Sequence, residues 1–155
     1  MIKNFKKGIC TAEFVTPFHP DKMCDFIADS LLDKYLANDP TSRVAIEVMG
    51  GHNLITINGE VTSKVDFDIE KEVLEILKSL NQNYQDFKVI SNLSLQSSEI
   101  ARGVDNGGAG DQGIMLGYAT NETLNFMPLE YDLARALAKK IFEVYPYVYS
   151  WYGGF

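Results

Sequence analysis

Two short runs of alternating apolar and polar residues set the strongest limit on the fold. Val44, Ile46 and Val48 alternate with Ala45 and Glu47 from Arg43 to Met49, and a second alternating run extends from Leu54 to Gly59. Period-two alternation places one set of side chains on a buried face and the other on an open face. The intervening Gly50-Gly51-His52-Asn53 has the residue types of a tight turn. The pair therefore predicts a β-hairpin with one covered face, and the rest of the chain must supply the cover.

Helices supply it. After Pro20, apolar residues recur at helical spacing through Met23, Phe26, Ile27, Leu31 and Tyr35 until Asn38-Asp39-Pro40 stops the pattern. Asp68 to Leu80 aligns Ile69, Val73, Ile76, Leu77 and Leu80, with Asp66, Asp68, Glu70 and Glu72 around its start, where the helix dipole favours acids. Leu133, Leu137 and Ile141 fall four apart beyond Pro128, giving a third helix that ends near Val144. Phe87 to Leu95 and Ile114 to Ala119 read as strands, and the glycine-rich stretch between them as a loop. The order predicts an α+β fold, a mainly antiparallel sheet with helices packed on one face. Residues 1–144 are expected to form one unit, followed by an aromatic tail, 145–155, able to act as an extra strand or an interface.

Charge and cysteine content narrow the function classes. The net charge of −7 repels phosphate backbones and anionic lipid, so neither nucleic acid nor membrane is an expected partner, and any phosphate ligand must be met by local groups. Cys10 and Cys24 read as reduced thiols rather than a disulfide framework, and no apolar stretch has the length of a signal core or a membrane span. A cytoplasmic location is expected.

Three segments have chemical potential. His19-Pro-Asp-Lys22 brings an imidazole, a carboxylate and an ammonium to one helix start, although a capped helix end accounts for the same residues. Asp25, Asp29 and Asp33 continue from Asp21 at four-residue spacing, which is simplest as a solvated face. Gly108-Ala-Gly-Asp-Gln-Gly113 fits the G-x-G-x-x-G pattern, but an apolar strand-like run follows it where a dinucleotide site needs a helix. Its glycines allow backbone N–H groups to approach a ligand, with Asp111 on the turn. His52 has no second histidine or cysteine nearby, which argues against zinc.

Taken together and in order, Phe18-His-Pro-Asp-Lys22, Arg43-Val-Ala-Ile-Glu47, Asn58-Gly-Glu-Val-Thr62, Gly103-Val-Asp105 and Gly108-Ala-Gly-Asp-Gln-Gly113, continuing to Glu122, resemble methionine adenosyltransferases, the S-adenosylmethionine synthetases. The resemblance runs from Cys10 to Val144 and matches only about the first third of such an enzyme. It implies a synthetase-like fold and the joining of ATP to L-methionine, with Mg2+ and K+ as cofactors. His19 would contact ATP near the reacting centre as the catalytic residue, with Lys22 also on ATP. Asp21 would bind Mg2+ and Glu47 would help hold K+. Glu60 and Gln96 would orient methionine, and Asp111 would belong to the substrate pocket.

The sequence departs from the family pattern in places. Thr16-Pro-Phe18 stands where the family has Ser-Glu-Gly, so a ring occupies the position of a small glycine, and the loop before Gly108 is shorter. The matching segments offer Lys22 and Arg102 beside carboxylates at 21, 47, 60 and 111, roughly the acidic half of a site. The expectation is a truncated or split synthetase that completes its site in a homo-oligomer or with a complementary synthetase chain. The alternative is a non-catalytic relative that binds nucleotide, methionine or a full-length synthetase.

Overall fold

A computed structural model describes residues 8–80, 84–97, 102–103, 107–109 and 112–145, Tyr84 by its backbone only. Helix α1 (Pro20–Asn38) begins where His19 turns extended and Pro20 takes the first helical position with its φ already set. It buries Met23, Cys24, Ile27, Leu31 and Tyr35 along one stripe. The helix stops at Asp39, which is extended at φ −142°. The Asp39 carboxylate accepts from the Thr41 hydroxyl at 2.6 Å and from the N–H groups of Thr41 and Lys64, each at 3.0 Å. These donors, the hydroxyl foremost, hold its pKa down to about 2. One carboxylate thus ties the end of α1 to the chain leaving the hairpin.

The hairpin forms as expected and is longer at both strands: β1 (Arg43–Gly51) lies antiparallel to β2 (Leu54–Thr62), with Arg43 opposite Thr62 and Gly51 opposite Leu54. His52 and Asn53 make the turn, both at positive φ, 47° and 62°, the backbone that matches the right-handed strand twist. Helix α2 (Ile69–Ser79) is capped by Asp68, whose carboxylate accepts from the Lys71 N–H at 3.0 Å. A single 3-10 turn, Tyr84–Asp86, leads into β3 (Lys88–Ser94), which joins the free side of β2.

That last pairing is parallel, with Leu54 opposite Lys88 and Glu60 opposite Ser94. Alternation reports which face is buried and says nothing about strand direction. The direction follows from α2, because a helical crossover returns the chain to the same end of the sheet. The sheet is therefore mixed, in the order β1-β2-β3.

Helices α1 and α2 cover one face. Ile55, Ile57, Val73, Leu77 and Val89 meet Met23, Ile27 and Leu31 there in one apolar cluster. Lys34 of α1 pairs with Glu72 of α2, and its ammonium lies 4.9 Å from the centre of the Phe67 ring.

Two expectations need correction. Ile114 to Ala119 forms no strand; Ile114 and Leu116 are 90% and 94% exposed. The run pairs with neither free edge of the described sheet, β1 or β3, and an unpaired strand has no ladder to hold it. Helix α3 (Leu129–Val144) forms where periodicity put it, but its Leu133, Leu137 and Ile141 stripe is exposed instead of joining the core. It meets the amino-terminal segment through ring contacts, Phe142 edge-on to Phe18 and Tyr131 edge-on to Phe14. Most of the aromatic tail, 146–155, lies outside the described residues.

Candidate functional site

The sheet separates the predicted site residues into two groups. Ile55 and Ile57 point into the helical core, so the even-numbered residues that alternate with them, Asn58 and Glu60 included, point to the opposite, outer face. Glu47, Asn58 and Asn92 form one row across that face; Ala45, Glu60 and Ser94 form the next. The Asn92 amide donates to the Asn58 side-chain oxygen at 3.1 Å. At the end of the sheet the Arg43 Nε donates to the Gln96 Oε1 at 2.8 Å. Glu47, Glu60 and Gln96 therefore share one open surface.

His19, Asp21 and Lys22 are elsewhere, at the amino end of α1 on the helical side. The His19 Nδ1 accepts from the Asp21 N–H at 3.2 Å, so the imidazole is the helix cap. Its Nε2 has no partner among the described residues and is the atom left for a ligand. The Asp21 side chain is 89% exposed, 3.9 Å from the histidine nitrogen. Lys22 lies 3.7 Å from Asp25, an exposed pairing too weak to hold the ammonium from another anion.

Beside this helix end is an open hollow of about 240 Å³, lined by Asp21, Cys24 and Asp25 of α1 and by Val48, Met49 and Gly50 of β1. Burial pushes the Cys24 thiol pKa up, and the negative charges of Asp21 and Asp25 add to the effect. A thiol held protonated is a packing group, not a nucleophile.

Among the described residues no group of three histidine, cysteine or acidic side chains encloses an ion. Magnesium, however, commonly takes one or two carboxylates and completes its shell with phosphate and water. The exposed Asp21 fits as one such ligand, and Glu47, open on the outer face, fits as a single carboxylate donor to K+.

The structure thus brings Glu47, Glu60 and Gln96 to one face and His19, Asp21 and Lys22 to one helix end, and does not join the two groups. Asp111 lies outside the described residues. The sequence marked Arg43 as the first residue of a strand and of the segment Arg43-Val-Ala-Ile-Glu47, and assigned it no role in the site. Its bond to Gln96 spans 53 positions, and no local pattern reports a contact of that range.

Residues 7–104 match the family described as the S-adenosylmethionine synthetase N-terminal domain, and residues 106–150 match the central domain of the same enzymes. The S-adenosylmethionine synthase of Mycoplasmopsis pulmonis is 50% identical over 139 residues, covering 87% of this chain and 37% of that protein. That of Mycoplasma pneumoniae is 42% identical over 153 residues, covering 95% of this chain and 40% of the relative. The structure of an unusual S-adenosylmethionine synthetase from Campylobacter jejuni superposes with a TM-score of 0.71 at 34% identity, over 86% of this chain and 36% of that one. The chain thus spans well under half the length of these relatives.

Proposed function

Because this chain belongs to the S-adenosylmethionine synthetase family, we propose that it takes part in making S-adenosylmethionine from ATP and L-methionine, contributing a half-site that another chain completes. The observation that supports this is the division of the site residues by the sheet. Glu47, Glu60 and Gln96 open on one face, while His19, Asp21 and Lys22 lie at the end of a helix on the other. Within one copy the two groups are on different sides of the sheet. A second copy, or a complementary synthetase chain, presents the missing group across an interface. The outer face is suited to such contact, since Met49 and Ile90 are exposed on it beside the polar rows.

Each residue then has a defined task. The Glu60 carboxylate accepts from the ammonium of methionine, and the Gln96 amide helps orient the same molecule. His19 offers Nε2 near the ribose carbon under attack, and Lys22 lies against the phosphate chain. Asp21 and Glu47 would hold Mg2+ and K+, which when bound offset the charge of the leaving tripolyphosphate. Asp111, outside the described residues, is assigned to the substrate pocket by the family resemblance alone. The reaction is a displacement in which the methionine sulfur donates its electron pair to the ribose C5′ carbon as the bond to tripolyphosphate breaks. Holding the two reactants in line supplies much of the acceleration in such a step. A cytoplasmic setting, with Cys10 and Cys24 as free thiols, suits substrates of this kind.

The alternative of a non-catalytic relative draws on Phe18, the ring at the family's glycine position. Its ring packs edge-on to Phe142 at 5.2 Å, where it docks α3. With the ring occupied in packing, the catalytic reading is preferred.

The deciding experiment is an assay of S-adenosylmethionine formation by the chain alone and by the chain with each candidate partner. Product in a combined sample supports the half-site. No product in any combination rules it out.

A further inference from the structure

We propose that Arg43 is a positioning residue for an α-amino-acid substrate, fixing the Gln96 side-chain amide so that its NH2 group is what the outer face presents near Glu60. This rests on the reading of that face as the amino-acid half of a synthetase site. A guanidinium carries only donors, so the atom of Gln96 that meets the Arg43 Nε at 2.8 Å must be the carbonyl oxygen. The amide NH2 is then turned away from the guanidinium. An amide without such a partner turns over, offering its oxygen or its nitrogen to a ligand with little preference.

The orientation matters because of what stands nearby. Arg43 begins β1 on the same face as Ala45, and Ala45 is opposite Glu60, with Ser94 beyond it; Gln96 follows two residues after Ser94. Glu60 is an acceptor for a positive group. A Gln96 held by Arg43 is a donor for a negative one. Acceptor and donor together fit the ammonium and the carboxylate of a free α-amino acid, whereas the flipped amide would set its oxygen against the substrate carboxylate. Both Arg43 and Gln96 are half-buried, so the bond between them is partly shielded from competing water.

The test uses the full 155-residue chain, isotope-labelled, with the side-chain NH2 resonances of Gln96 followed by NMR. L-methionine is compared with L-methioninol, which keeps the ammonium and lacks the carboxylate. In the parent chain methionine is expected to bind on the order of tenfold or more tighter than methioninol. Arg43→Met is expected to shift the ligand-free Gln96 NH2 resonances and to bring the two ligands to similar affinity, while Arg43→Lys restores part of the preference. Gln96→Glu keeps a partner for Arg43, so it remains informative if Arg43→Met does not fold. It turns the donor into an acceptor and is expected to weaken methionine binding far more than methioninol binding, removing the preference for the carboxylate.

Unaltered Gln96 resonances and an unaltered preference in Arg43→Met would overturn the role of Arg43, as would equal weakening of both ligands in Gln96→Glu. If methionine produces no response in the parent chain, the amino-acid reading of the face fails, and the assigned substrate fails with it. The ligand-free resonances distinguish that failure from a failure of the Arg43 contact itself.

Discussion

The carbonyl oxygen of Ala45 stands 2.0 Å from where a Cβ on Gly59 would be, so the two strands of the hairpin pass as closely as they do only because residue 59 is glycine. The same residue has φ +147°, a backbone conformation that other residues rarely adopt. Glu60 follows directly, so the placement of the proposed ammonium acceptor depends on this contact.

Gly59→Ala should therefore destabilise the fold by about 1–3 kcal/mol from backbone strain, with steric overlap adding to it. The obstructing atom is backbone and cannot swing aside. A lowered denaturation midpoint in urea is the expected result; an unchanged midpoint would mean that the strands separate easily.

Acid stability should show the Asp39 contact. Its carboxylate, ordinarily near 3.8, is held to about 2 by Thr41 and Lys64, so folding favours the ionised form. The resulting stabilisation is fully present above the ordinary value and is lost as pH falls through the folded one. The difference in thermal midpoint between the parent and Asp39→Asn should hence be constant near neutrality and shrink between about pH 4 and pH 2. A difference that does not change with pH would assign the effect to something other than the carboxylate charge.

Burial separates two apolar residues of similar character. Leu31 is fully buried against the sheet, and Leu31→Ala should cost about 2–5 kcal/mol. Met49 is 72% exposed, and Met49→Ala should change the stability of the isolated chain by less than about 0.5 kcal/mol. If a second copy covers the outer face, Met49→Ala should instead weaken self-association, measurable by light scattering against concentration.

The two roles of His19 are separable. Asparagine is a good helix cap, so His19→Asn should keep stability within about 0.5 kcal/mol, whereas the loss of Nε2 should weaken ATP binding measured by calorimetry. Equal ATP affinity in parent and variant would leave His19 as a cap only.

Much of the fold is legible in the chain because it depends on local periodicity. The α1 stripe from Met23 to Tyr35, the acidic start of α2 around Asp68 and the alternation on either side of His52-Asn53 each lie within a few residues of what they determine. Ile114 to Ala119 shows where that reasoning fails, since apolar residues make a strand only where they pair with a neighbouring edge, and this run pairs with none of the described strands. Likewise, the spacing of Leu133, Leu137 and Ile141 specifies a helix but not what covers it.

The sequence by itself determined the helices, the hairpin, the limits set by its negative charge and the family to which the co-linear motifs belong, because these are properties of neighbouring residues and of their order. Only the tertiary structure decided that β3 runs parallel to β2, that Gln96 is held by Arg43, and that Glu47 and Glu60 lie across the sheet from His19 and Asp21. The physical reason is range: strand direction and sheet face are set by how a crossover returns the chain, and a side chain meets its partner wherever that return places it.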